Sequence, residues 1–97
     1  MNVLIKGMDK KGALEKRKEV RPRHLEYYRN AGISVVTGGP LLDEETGDPI
    51  GSMLIVEVDK LAQAKELAHN DPYNLDGVFE SVEVIPVNLL LSTVKES

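Results

Sequence analysis

Two histidines and no cysteine bound the chemistry open to this 97-residue chain. His24 falls in a helical pattern and is a side chain whose ordinary titration lies near neutral pH, which makes it the candidate proton carrier. A histidine acts as a base when a carboxylate holds one ring nitrogen and leaves the other free. Asp71 is the carboxylate suited to that task. It stands in Asn70-Asp71-Pro72-Tyr73, where Pro72 keeps the preceding residue out of helical geometry and presents a short side chain at a fixed place. The plainer alternatives are a structural histidine and a turn aspartate, since Asn, Asp and Pro all favour turns.

Arg17, Arg21 and His24 follow at spacings of four and three, which stacks them along one helical stripe inside an otherwise apolar face. Buried cations are costly unless paired, so such a stripe calls for acidic partners, a ligand or a wet cleft. Arg21 suits a substrate carboxylate or phenolate. Arg17 is a candidate for the same role, against a plainer reading at the edge of the face with its stem snorkelling. Gly39 and Pro40, in Gly38-Gly39-Pro40, are expected to shape a pocket wall, because glycine in a strand marks a bulge or a close backbone approach. Tyr73 is placed in the site as a phenol for the ligand, with simple packing as its alternative. His69 reads as a favourable charge at a helix C-terminus. No phosphate loop, metal-spaced cluster or nucleophilic serine motif occurs, so neither a cofactor nor a metal is expected.

The elements that must position these residues are readable in turn. Val3 to Met8 is a β-branched, apolar strand suited to the middle of a sheet. Asp9 to Gly12 is a turn. Ala13 to Ala31 is helical, with Ala13, Leu14, Val20, Leu25, Tyr27, Tyr28 and Ala31 on one broad face. Pro22 predicts a kink or a helix restart, and Gly32 a left-handed cap. Ile33 to Thr37 is a second strand, extended by Leu41-Leu42, and the acidic turn Asp43 to Asp48 leads to a third, Ser52 to Val58. Asp59 is the expected N-cap of a second helix carrying Leu61, Ala64, Leu67 and Ala68 and ending at His69-Asn70. Phe79 to Val87 is the fourth strand. The order βαββαβ is the α+β, ferredoxin-like arrangement, a four-stranded antiparallel sheet with two helices on one face. Its other face would be bare. A homodimer built by packing two such sheets covers it, and Leu89-Leu90-Leu91 adds a surplus of apolar side chains there.

Composition agrees. At 41% hydrophobic and 29% charged the chain is that of a soluble globular protein, expected as a single domain over 1–97. With 4% aromatic residues the core must be aliphatic, and a small aliphatic core gains burial by oligomerising. A cysteine-free chain suits the cytoplasm. A net charge of −4 argues against a nucleic-acid binder. The run Val3-Leu4-Ile5 is too short for a membrane span or signal segment.

The ordered set Arg17-x-x-x-Arg21-Pro22-x-His24-Leu25, Gly39-Pro40-Leu41, Gly51-Ser52, Asp71-Pro72-Tyr73 and Gly77-Val78-Phe79 resembles the YCII-related (YciI-like) family. The resemblance implies a ferredoxin-like fold, a dimeric α/β-barrel assembly and a His/Asp-centred site on His24 and Asp71. The family's relatives among dimeric barrels include muconolactone isomerases and a dehydrochlorinase of chlorinated hydroxyhydroquinones. Leu89 to Ser97 carries no signature of the family. Two functions are therefore expected to compete: an acid–base enzyme on a small anionic or phenolic ring compound, and a small-molecule-binding or accessory dimer without chemistry.

Overall fold

The computed structural model describes residues 1–91. β1 (Asn2–Asp9) alternates as a strand with two environments should: Val3, Ile5 and Gly7 are buried, while Leu4, Lys6 and Met8 are half-covered. α1 (Leu14–Arg29) follows, then the hairpin of β2 (Ser34–Leu42) and β3 (Pro49–Glu57). α2 (Leu61–His69), a single turn α3 (Pro72–Leu75) and β4 (Phe79–Val87) complete the order. The strands lie as β2-β3-β1-β4, with every pairing antiparallel. The fold is the ferredoxin-like α+β arrangement anticipated above. No described helix is long and apolar enough to cross a membrane.

Two clusters hold the helices to the sheet. Val3, Ile5 and Val56 meet Tyr28 of α1 and Ala64, Leu67 and Ala68 of α2. Val20 of α1 meets Tyr73, Val78 and Phe79. Val3, Val20, Val56 and Val78 are all fully buried, each worth about 1.5–3 kcal/mol against exposure. The Phe79 ring lies over Gly7 so closely that a Cβ there would overlap it.

Three local expectations need correction. Pro22 neither restarts nor ends the helix: α1 runs through it unbroken. Pro22 and Lys18, whose carbonyl loses its partner, both face solvent, where water replaces the missing bond. Asp59 is not the N-cap of α2, which is Lys60. The free N–H groups of Asp59 and Lys60 instead donate to Gln63 Oε1, at 2.8 and 2.9 Å. Pro72 starts a helix, α3, where a break alone was expected. α1 closes at Asn30, and Gly32, two residues beyond that cap, has the left-handed φ of 71°.

The sheet's second face carries Leu4, Met8, Met53, Ile55 and Ile85 by register, with Ile85 42% exposed. β2 is an edge strand, exposed along almost its whole length. Between α1 and the β2–β3 hairpin lies a cavity of ≈ 380 Å³.

Candidate active site

The residues α1 buries are Arg17, Val20, His24 and Tyr28. That stripe, and not the one through Leu25, faces inward; Leu25 sits at the cavity, 40% exposed. Asp71 meets the stripe from the opposite side. Its φ of −59° and ψ of 129° are the extended geometry a following proline imposes. Asp71 Oδ1 accepts from the Tyr73 N–H at 2.8 Å, which makes Asp71 the N-cap of α3. The same oxygen lies 3.0 Å from His24 Nδ1, and Oδ2 accepts from the Tyr28 hydroxyl at 2.7 Å.

An ionised carboxylate only accepts, so this network assigns the hydrogen to Nδ1 and the lone pair to Nε2. His24 Nε2 has no partner among the described residues, and none of their buried side-chain polar atoms lacks one. Nε2 is therefore not fully buried, on a side chain that lines the cavity. Asp71 does not line it. It stands behind His24, 1% exposed. Tyr28 is held protonated, its pKa raised by burial and then by the Asp71 charge. Tyr73 stacks on His24 with ring centres 4.1 Å apart.

Arg17 departs from the edge position offered for it. It is 4% exposed, donating from Nε to Asp9 Oδ2 at 2.6 Å and from Nη2 to Asp9 Oδ1 and Ser52 Oγ, both at 2.9 Å. Asp9 continues the inward series Val3, Ile5 and Gly7 of β1, beside the point where its pairing with β4 shifts register. Burial opposes the Arg17 charge, but the Asp9 hydrogen bond and charge outweigh it and the pKa rises. The guanidinium also lies 4.4 Å from the Tyr73 ring centre. Arg21, by contrast, has no acidic partner among the described residues.

The cavity brings together Arg17, Arg21, His24, Gly39, Pro40 and Tyr73, with Ser52. The close backbone approach occurs one residue earlier than Gly39. A Cβ on Gly38 would overlap the Leu54 side chain and lie 2.9 Å from the Met53 carbonyl, whereas one on Gly39 would meet nothing within 4 Å. Burial raises the pKa of Tyr73, while the charges of Arg17 and Arg21 pull it down. Asp9, Ser52 and Tyr28 escaped the sequence reading. Tyr28 lies four residues after His24 on the same stripe, which was the available signal. The demand of a buried Arg17 for an acid was the signal for Asp9. For Ser52 only its place beside Gly51 in the family pattern stood out. A base facing a cavity that also holds an unpaired cation can take a proton from a bound acid and steady the anion formed.

The family model of the YCII-related domain matches residues 1–88. Protein YciI of Escherichia coli O6:H1 (strain CFT073) is 37% identical over 94 residues, spanning 89% of this chain and 95% of its own, and the Shigella flexneri protein of that name matches equally. Among solved structures, this chain is similar to 5-chloro-2-hydroxyhydroquinone dehydrochlorinase (TftG) from Burkholderia phenoliruptrix AC1100, in complex with 2,5-dihydroxybenzoquinone. The TM-score is 0.82 at 31% identity, over 91% of this chain and 94% of the other. An antibiotic biosynthesis monooxygenase, 13% identical with a TM-score of 0.56 over 90% and 95% of the two chains, shares the fold alone.

Proposed function

Since this chain belongs to the YCII-related family, we propose that it is a cofactor-independent acid–base enzyme acting on a small anionic or phenolic ring compound. His24 moves the proton, Asp71 orients His24, and Arg21 holds substrate charge. Arg17 and Tyr73 contact the ring, and Gly39 and Pro40 wall the cavity. The observation that carries this reading is the 3.0 Å contact of His24 Nδ1 with Asp71, which leaves Nε2 to the cavity. Likeness to a dehydrochlorinase of a chlorinated hydroxyhydroquinone supports the ring class and a lyase or isomerase chemistry. On such a ring, His24 Nε2 takes a hydroxyl proton and returns it to the chlorine-bearing carbon, making the keto tautomer. Loss of a second hydroxyl proton then expels chloride from that carbon and leaves a quinone, so the net change is loss of HCl, with no redox partner. The protein acts as a cytoplasmic homodimer, its bare sheet faces packed together.

A second reading has its own support. Asp71 caps α3 and binds Tyr28 whatever the chemistry, so the same residues also brace α1 against α3 in a binding module. Two variants separate the readings, with chloride release from 5-chloro-2-hydroxyhydroquinone as the assay. His24→Ala leaves the Asp71 contacts to Tyr28 and Tyr73, so it should fold and lose about 10²–10⁴-fold in turnover. Asp71→Asn turns one acceptor into a donor facing a donor, and should also cost about 2–4 kcal/mol of stability. Turnover that survives in folded His24→Ala would leave the bracing reading standing.

A further inference from the structure

Ser52 lines the same cavity and takes no part in the proton transfer. It is buried on β3, on the sheet face it shares with Gly7 and Pro40. Its Oγ accepts from Arg17 Nη2 at 2.9 Å. A guanidinium only donates, so this contact occupies a lone pair and turns the hydroxyl hydrogen elsewhere. No acceptor among the described residues takes that hydrogen. Arg17 cannot swing away, because Asp9 grips it through Nε and Nη2. Arg17 Nη1 is likewise without a partner among those residues and is not buried, so it opens on the cavity beside the Ser52 hydroxyl. Tyr73 stacks on His24 and takes the Arg17 guanidinium over its ring. Arg17 and His24 are two helical turns apart, about 10 Å along α1. The Tyr73 ring thus separates the two ends of the site, donors at one and the base at the other.

We infer that Ser52 Oγ–H and Arg17 Nη1 form a donor pair for an acceptor oxygen of the ligand, so that the cavity selects rings with two oxygens. One oxygen faces His24 Nε2 and the other faces the Ser52–Arg17 pair. This rests on the acid–base reading above and sharpens its substrate class to doubly oxygenated rings of the quinol and quinone kind. Asp9 is a positioning residue: it neutralises Arg17, so the pair offers hydrogen bonds with little net charge. The charge selection is left to Arg21.

Calorimetric titration with two probes tests it. Ser52→Ala should weaken binding of 2,5-dihydroxybenzoquinone about tenfold, the worth of one such hydrogen bond. It should leave phenol, whose single oxygen belongs to His24, bound as by the parent. Ser52→Thr keeps the hydroxyl and should restore quinone binding. Parent-like quinone binding by Ser52→Ala overturns the donor pair. So does an equal loss for both probes, which would report a merely structural serine, and so does a parent protein that fails to take the quinone. Failure of the proton-transfer reading shows separately, as chloride release persisting in His24→Ala while the Ser52 effect on quinone affinity remains.

Discussion

Asp71 serves three donors with two oxygens, and each fixes something different: the tautomer of His24, the start of α3 and the hydroxyl of Tyr28. Its nearness to His24 was legible because Pro72 dictates the geometry of the preceding residue and a helical stripe dictates the aim of His24. The partner of Arg17 was not. Asp9 lies eight residues upstream across a turn: alternation along β1 puts it on the face of Val3, Ile5 and Gly7, but no periodicity encodes how the end of that strand meets α1. The same burial that organises the site gives it an alkaline limit. Tyr28, Tyr27 and Tyr73 all have pKa values raised, in each case first by burial. A raised folded value leaves stability whole below the unfolded value and removes it as pH climbs towards the folded one. Melting temperature should therefore hold steady to about pH 9.5 and then fall, with Tyr28 costing about 1.4 kcal/mol per pH unit above 10. Tyr28→Phe should shallow that fall; a melting temperature flat to about pH 11 would contradict it.

Among the elements, α1 is the one on which the site depends, and its neighbours clamp it. Tyr27 donates to the Leu67 carbonyl of α2 at 2.7 Å, and Arg23 pairs with Asp76 at the end of α3. The four strands and two longer helices were legible from alternation, spacing and turn residues. α3 was hidden because Asp-Pro reads equally as an ending and as a beginning. Glycines show the same division. At Gly7 the Phe79 ring occupies the place of a Cβ, whereas at Gly39 that place is empty. Gly7→Ala should cost about 1–3 kcal/mol by overpacking, lowering the melting temperature by roughly 4–8 °C per kcal/mol in a chain of this size. Gly39→Ala should melt within about 1 °C of the parent by the same scale. Equal melting of the two variants would remove the packing argument.

At the scale of the whole molecule, the sequence already implied a sheet covered by helices on one side. What it left open is the closure of the other side. Leu4, Met8, Met53, Ile55 and Ile85 share that side, and the homodimer proposed above buries them. Leu89, Leu90 and Leu91, expected to help, are exposed, and residues 92–97 of the Leu89–Ser97 stretch lie outside the described residues. Sedimentation should give twice the 10.7 kDa of one chain. Ile85→Lys should halve that mass without changing the helical circular dichroism, and a monomeric parent would sink the proposal. The exposed edge strand β2 has one more consequence. It supplies Val35, Gly38, Gly39 and Pro40 to the cavity but no member of the hydrogen-bonded relay, which belongs to α1 and the Asp71-Pro72-Tyr73 turn. The β2 wall thus shapes the cavity without touching the hydrogen bonds of His24 and Asp71. A lineage can drift along β2, trading one side chain for another where there is room, and acquire new substrates while the proton route stays as it was.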